Sequence, residues 1–193
     1  GRARREPRVR VHSLPPQTEK DTVVDLYDYV DSIKDFPVEG IVFKDISPIL
    51  ENYEALEQVK NNFVNVAKEY QPDYIAGIDA RGFLFSTLIS QELGIGSLMI
   101  RKPNKLPGEL IEQTYTLEYG SSTLAVQTAR NIKNKKIILV DDLLATGGTI
   151  KCAEDLISKA GGNVVLSLVV IELLFLKGSE NLVSPLKSVL QYD

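Results

Sequence analysis

The part of this 193-residue sequence best suited to chemistry is a pair of acidic residues followed by a turn of threonine and glycine. Asp141 and Asp142 directly follow an apolar run, residues 137–140, that is typical of a strand buried on both faces. A Thr-Gly-Gly-Thr turn follows at residues 146–149, where a helix is predicted to begin. Because open α/β sheets bind ligands beyond the carboxyl ends of their strands, these residues are expected to line a binding site.

The turn offers the groups of a phosphate-binding loop. Gly147 and Gly148 permit close backbone approach, Thr146 and Thr149 supply hydroxyls, and the start of a helix supplies free N–H groups. The adjacent acids suit different groups, either the hydroxyls of a sugar or a hydrated divalent cation. The two glycines alone would also fit an ordinary strand-to-helix turn. The acid pair argues against that, because neighbouring carboxylates repel and normally need a cation or hydrogen-bond donors.

Several other kinds of site are excluded by residues that the sequence lacks. There is no Gly-x-x-x-x-Gly-Lys-Ser/Thr phosphate loop, and Met99 stands where the third glycine of a dinucleotide-binding fingerprint would follow Gly94 and Gly96. With only one histidine, His12, and one cysteine, Cys152, the chain cannot form a zinc site or an internal disulfide. Catalysis by a Ser-His-Asp triad would need a histidine from a partner chain. Cys152 itself is predicted to be a buried thiol.

Charge divides the sequence into two parts. Residues 1–20 carry six basic and two acidic residues, whereas the whole chain has a net charge of -4, so the remaining residues are strongly acidic. An acidic body is a poor surface for nucleic acid, and no nucleic-acid partner is expected. Residues 1–20 lack apolar periodicity and are predicted to be a disordered extension of a domain formed by residues 21–193. Without a secretory pattern or an apolar run long enough for a membrane span, the expected compartment is the cytoplasm.

Hydrophobic spacing predicts alternating strands and helices over most of the chain. Helices are predicted from near Thr18 to Ile33 and over residues 53–70, 83–93 and 148–160. Strands are predicted over residues 74–78, 98–100, 137–140 and 164–171, with a β-hairpin over 115–126 and loops over 41–48 and 101–113. This order favours an α/β domain with a mainly parallel sheet flanked by helices.

Residues 140–149, Val-Asp-Asp-Leu-Leu-Ala-Thr-Gly-Gly-Thr, resemble the phosphoribosyl-pyrophosphate (PRPP) signature of the type I phosphoribosyltransferases. Their particular form is similar to that of the adenine phosphoribosyltransferase family. Four further segments agree in order: residues 36–48, 74–85, 100–108 and 115–120. The resemblance covers about residues 22–193. It implies the type I fold, with a small N-terminal hood and a mobile β-hairpin lid.

The resemblance also implies a reaction, in which adenine and PRPP give AMP and pyrophosphate with Mg²⁺. Asp141 and Asp142 would then bind the ribose hydroxyls. The PRPP 5′-phosphate would be bound by Ala145, Thr146, Gly147, Gly148 and Thr149. The pyrophosphate group would be met by four basic residues in loops after strands: Arg81, Arg101, Lys102 and Lys105.

Adenine recognition is likewise implied by the resemblance. The backbone of Val42, Phe43 and Lys44 would pair with the edge of the base, and Leu173 would lie on the apolar wall of the base pocket. Lys44 departs from the more usual Arg of the family, so any role of a planar guanidinium does not carry over.

Glu118 and Tyr119 are the implied residues of the mobile hairpin. The Glu118 carboxylate would accept the proton that adenine loses, or fix the base tautomer, and Tyr119 would help to cover the reacting centre. The family also implies a homodimer. Three alternatives stay open: a nucleotide-sensing regulator without catalysis, a transferase for another base, and a magnesium-dependent phosphatase.

Overall fold

The computed structural model describes residues 23–117 and 120–193, without the side chain of Leu117. The extension predicted at residues 1–20 and the two hairpin residues Glu118 and Tyr119 lie outside the described residues.

The centre of the fold is a five-stranded parallel sheet with the strand order β4-β3-β7-β8-β9. Its strands are β3 (Tyr74–Ile78), β4 (Gly96–Ile100), β7 (Lys136–Leu144), β8 (Asn163–Leu173) and β9 (Leu186–Tyr192). Because all strands are parallel, their carboxyl ends meet at one edge of the sheet. The predicted phosphate loop leaves the sheet from β7, its central strand, at that edge.

Helices cover both faces of the sheet. They are α1 (Ser47–Glu51), α2 (Tyr53–Tyr70), α3 (Gly82–Leu93) and α4 (Gly148–Lys159). Successive residues of β7 point to opposite faces, so that Ile138 packs in a core with α2 and α3 and Ile137 packs in a second core with α4. Burying each such side chain stabilises the fold by roughly 1.5–3 kcal/mol. The apolar run of β7 therefore reflects two buried faces.

Two antiparallel pairs flank the sheet, and they match the predicted hood and hairpin. The hood pairs β1 (Asp31–Lys34) with β2 (Val42–Asp45). The hairpin pairs β5 (Leu110–Leu117) with β6 (Gly120–Gln127). The fold prediction, a mainly parallel sheet flanked by helices with these two appendages, is confirmed.

The helix predicted up to Ile33 is wrong over the described residues. A short 3₁₀ helix at Leu26–Tyr29 is followed directly by the strand β1. The Asp25 side chain accepts a hydrogen bond from the Tyr27 N–H and fixes the start of this turn. Val23, which contributed to the apparent helical spacing, is 84% exposed.

The loop predicted over residues 41–48 is also wrong, because residues 42–45 form β2 and pair with β1. Two further strands were predicted too short or not at all. β7 continues through the acid pair to Leu144, and β9 had no predicted counterpart. Each of these segments is fixed by pairing with another strand, which local spacing does not reveal.

The helix predicted over residues 53–70 is confirmed at both ends. The Asn52 side chain accepts a hydrogen bond from the Ala55 N–H at 2.9 Å, and Gln71 ends the helix in a left-handed conformation with a φ of 49°. Among the described residues, none of the helices is both long and apolar enough to span a membrane.

Candidate active site

The turn between β7 and α4 forms a loop that only glycine allows at its centre. Gly147 has a φ of +87°, and a Cβ at this position would lie 2.5 Å from the Gly178 carbonyl oxygen. α4 begins at Gly148, so that the free N–H groups of its first turn face the carboxyl end of the sheet. Residues 145–149 thus form a tight turn at the start of a helix, and phosphate binding by this turn stays a prediction.

A second loop, which the sequence analysis did not identify, supports this one. A Cβ at Gly178 would lie 2.3 Å from the Ala145 carbonyl oxygen, so the two backbones are in direct contact. The Asn181 side chain donates a hydrogen bond to the Thr146 carbonyl at 3.0 Å. The local sequence around Gly178 carries no signal for this contact, because its partner lies far earlier in the chain.

The two acids on β7 lie in different surroundings. Asp142 is only 7% exposed, and its carboxylate accepts a hydrogen bond from Arg81 Nε at 2.5 Å. The Asp141 carboxylate accepts a hydrogen bond from the Asp142 N–H at 2.9 Å. Burial, followed by the neighbouring Asp142 charge, raises the pKa of Asp141 well above its usual range. Arg81 thus compensates the negative charge of the acid pair.

The other predicted cations gather around an acid that the sequence analysis did not select. Asp79, which follows β3, accepts a hydrogen bond from Arg101 Nε at 2.9 Å and lies 3.5 Å from Lys105 Nζ. Burial raises the pKa of Asp79, but the opposing charges of Arg101 and Lys105 outweigh it and lower the pKa overall. Lys102 is exposed and makes no ion pair within residues 23–117 and 120–193. Arg101 directly follows β4, and that position could have drawn attention to Asp79, which directly follows the neighbouring strand β3.

Two clefts meet at Arg81. A cleft of about 310 Å³ is lined by the phosphate loop, by the acid pair and by residues 78–81. An adjoining cleft of about 400 Å³ is mostly apolar and includes Phe36, Phe43 and Leu50 in its lining. Arg81 lines both. The arrangement places a polar cleft beside a mostly apolar one.

The candidate base-binding residues are divided by the structure. Phe43 and Lys44 line the apolar cleft, and the Phe43 ring centroid lies 5.2 Å from that of Phe36. Val42 is 50% exposed on the same strand, and Leu173 lies at the end of β8; neither lines this cleft. The Lys44 ammonium donates to Ser32 Oγ at 2.8 Å and lies 4.0 Å from the centroid of the Tyr192 ring.

The remaining candidates lie near or beyond the described part of the hairpin. Glu118 and Tyr119 are outside the described residues, so their predicted roles stay predictions. Cys152 is buried in α4, as predicted, and burial raises the pKa of its thiol to about 11. A thiol with so high a pKa is a poor nucleophile, in keeping with a structural role.

Residues 45–187 match the model of the phosphoribosyl transferase domain family. The chain therefore belongs to the phosphoribosyltransferases, as residues 140–149 indicated. Within this family, the chain is 48% identical over 158 residues to the adenine phosphoribosyltransferase of Prochlorococcus marinus strain NATL1A. The aligned residues make up 82% of this chain and 92% of that relative.

Solved structures of adenine phosphoribosyltransferases have the same fold. The enzyme of Thermoanaerobacter pseudethanolicus superposes with a TM-score of 0.83 at 36% identity, over 86% of this chain and 98% of that one. The enzyme of Saccharomyces cerevisiae, in a complex with an imino-altritol bisphosphate and adenine, gives a TM-score of 0.81 at 35% identity, over 85% and 96% of the two chains.

Proposed function

We infer that the protein is a pentosyltransferase of purine salvage that converts adenine and PRPP to AMP and pyrophosphate. The observation that carries this inference is the junction of the two clefts at Arg81. One cleft has the groups to bind a phosphorylated sugar, and the other has the apolar lining to bind a base. The reaction forms a bond between that sugar and that base. The similarity to adenine phosphoribosyltransferases supports adenine as the base.

The 5′-phosphate of PRPP is proposed to bind the loop of residues 145–149. Its backbone N–H groups, the start of α4 and the Thr146 and Thr149 hydroxyls all suit a phosphate dianion. The contact with Gly178 holds the loop backbone in place before the ligand arrives. A loop already held in this shape loses less conformational freedom on binding.

The ribose hydroxyls are proposed to bind Asp141 and Asp142. The Asp142 carboxylate accepts a hydrogen bond from Arg81. Arg81 is about half exposed and lines both clefts, so its side chain has room to turn toward the pyrophosphate when a sugar hydroxyl takes its place. The two carboxylates then lie beside the ribosyl carbon and favour the positive charge that develops there.

Pyrophosphate leaves from the end of the ribose opposite the 5′-phosphate, and its departure needs positive charge at that end. Arg81, Arg101, Lys102 and Lys105 are proposed to supply it. Asp79 holds Arg101 and Lys105 near the carboxyl ends of β3 and β4. Charge-assisted hydrogen bonds from these cations would stabilise the leaving group.

Adenine is proposed to lie in the apolar cleft against Phe43, with the backbone of Val42, Phe43 and Lys44 at its edge and Leu173 farther along the wall. The Lys44 side chain is already engaged by Ser32 and Tyr192, which leaves only its backbone for the base.

Glu118 is proposed to accept the proton from adenine as the ring nitrogen of the base attacks, and Tyr119 is proposed to cover the site. Adenine loses one proton, and one C–O bond to pyrophosphate is exchanged for one C–N bond.

Magnesium is proposed to accompany PRPP. Asp141 and Asp142 offer carboxylate oxygens, which this ion prefers. Within the described residues, however, no group of three or more His, Cys, Asp or Glu side chains could enclose an ion. The ion is therefore placed mainly on PRPP and water, where it would neutralise charge on the departing pyrophosphate.

A homodimer in the cytoplasm is the proposed setting. Leu84 and Met99 are exposed close to the cations Arg81 and Arg101, and a second copy could cover these side chains. The single cysteine of the chain is buried, which suits a compartment where disulfides are rare.

A panel of radiolabelled bases tests the proposed function. Each of adenine, hypoxanthine, guanine and orotate is incubated with PRPP and Mg²⁺ and scored for nucleotide formation. Adenine is expected to give AMP far faster than any other base gives its nucleotide, and Asp142→Asn, folded as judged by its unfolding midpoint, is expected to be severely impaired. Preferred use of another base would reject the adenine assignment. PRPP binding without any transfer would indicate a regulator.

A further inference from the structure

Tyr115 is a described residue of the hairpin that reaches the phosphate loop. Its phenolic oxygen lies 3.2 Å from Thr149 Oγ1. Its ring also packs over the start of α4, where a Cβ on Gly148 would be 3.7 Å from the nearest ring carbon. Both the hydroxyl and the ring of Tyr115 therefore contact the proposed 5′-phosphate site.

Two further hydrogen bonds, both to residues that precede Tyr115 on β5, fasten this strand to α4. The Cys152 thiol donates to the Gln113 carbonyl at 3.3 Å, and the Lys159 ammonium donates to the Glu112 carbonyl at 2.8 Å. Along β5, Ile111, Gln113 and Tyr115 are half-buried, whereas the residues between them are exposed. Alternate side chains of a strand share a face, so the half-buried face of β5 is the one that packs on α4. Packing along the strand thus holds the Tyr115 ring against the loop.

In the hydrogen bond between the two hydroxyls, either oxygen can be the donor. A bound phosphate removes that freedom, because its oxygens only accept. Thr149 must then donate its proton to the phosphate, and its oxygen is left to accept one from Tyr115. Tyr115 then donates to Thr149, and Thr149 donates to the phosphate. In such a series of hydrogen bonds, each bond polarises the next.

We propose that Tyr115 is a positioning residue of the 5′-phosphate site, which directs the Thr149 hydroxyl toward the phosphate. The proposal rests on the proposed function, because it takes the loop of residues 145–149 as the 5′-phosphate site. It adds a residue outside the loop, on a separate pair of strands, whose effect on binding passes through Thr149.

A double-mutant cycle measures this dependence. AMP is titrated by calorimetry into the full-length chain, Tyr115→Phe, Thr149→Val and the double variant. Tyr115→Phe keeps the ring and its packing but removes the hydroxyl. It is expected to weaken AMP binding about three- to tenfold, a loss of the size of a net hydrogen bond. In the Thr149→Val background, the same change is expected to have almost no effect, because the residue through which Tyr115 acts no longer has a hydroxyl.

Thr114→Val is the matched control. The Thr114 hydroxyl forms a hydrogen bond with Thr123 at 2.8 Å across the same hairpin, and it points away from the buried face of β5. Its loss is expected to leave AMP affinity unchanged. In steady-state kinetics, Tyr115→Phe is expected to raise the KM for PRPP and to leave the KM for adenine unchanged, a split that a general loosening of the hairpin would not produce.

Three results would overturn the proposal: unchanged AMP affinity in Tyr115→Phe, an equal loss in both backgrounds, or an equal loss in Thr114→Val. Thr149→Ala replaces Thr149→Val in the cycle if the valine variant does not fold. Failure of the proposed function has a different signature, since the parent chain would then form no AMP from adenine and PRPP, a result obtained without any Tyr115 variant. An active parent with an additive cycle would reject the role of Tyr115 alone.

Discussion

Glu118 is the residue on which proton transfer depends in the proposed reaction. Glu118→Ala is expected to lower kcat/KM for adenine by about 10²–10⁴, the usual contribution of a positioned acid–base group. Glu118→Gln keeps the shape and a hydrogen-bonding amide but cannot accept a proton, so it should retain binding better than turnover. The measurement pairs PRPP affinity by calorimetry with adenine kinetics. Turnover at the parent rate in Glu118→Ala would reject the assignment.

Asp141 gives a prediction about stability against pH. Its pKa is raised in the folded chain, mainly by burial, so the folded state binds the proton more tightly than the unfolded state does. Stability from this group is therefore present at low pH and is lost as pH rises from its unfolded pKa, about 3.9, through its raised folded pKa. The side chain in Asp141→Asn does not titrate, so the variant does not lose this stability as the pH rises.

The expected result is a higher unfolding midpoint for Asp141→Asn than for the parent at pH 7, with the difference shrinking as the pH falls toward 4. Thermal unfolding of the ligand-free proteins across this range measures it. The Asn side-chain oxygen can still accept from the Asp142 N–H, so the local hydrogen bond is kept. A lower midpoint in Asp141→Asn at neutral pH would contradict the role of burial.

Among the loops and strands, the contact between the phosphate loop and Gly178 leaves no space for a side-chain atom at residue 178. Gly178→Ala would place a Cβ 2.3 Å from the Ala145 carbonyl and must displace one of the two loops. AMP affinity is expected to fall at least tenfold. Gly94→Ala is the matched control, because Gly94 has a φ of +68° at the end of α3 but open space around it. It should cost roughly 1–2 kcal/mol of stability, because alanine is strained in this left-handed conformation, and leave AMP affinity intact. Equal affinities in the two variants would show that the contact is unimportant.

The same elements show how far the sequence predicts the structure. α2 was predictable from end to end because its apolar spacing and its Asn52 cap are local. The turn from β7 into α4 was predictable because its glycines and threonines follow a buried strand, whereas the binding of a phosphate there stays a prediction. β1 and β2 were missed because each is stabilised by the other, and Gly178 because its partner is distant in sequence. The Arg81–Asp142 ion pair likewise depends on the adjacency of β3 and β7.

At the scale of the whole molecule, the basic extension is predicted to be independent of the reaction. Within the part of the chain that the structure describes, both clefts are lined by residues from Ile33 onward. Deleting residues 1–17 is therefore expected to leave kcat and both KM values within about twofold of the parent, a difference of roughly 0.4 kcal/mol. Steady-state kinetics of the truncated chain provide the comparison. A large rise in the KM for PRPP would show that the arginine-rich arm assists binding of this anionic substrate.

The central claim is that one site joins adenine to the ribosyl group of PRPP. The most direct measurement incubates the purified chain with adenine, PRPP and Mg²⁺ and quantifies AMP and pyrophosphate in the same samples over time. Equal amounts of both products are expected, dependent on both substrates, with severe loss of both in Asp142→Asn. Pyrophosphate release without AMP, or no consumption of adenine at all, would contradict it.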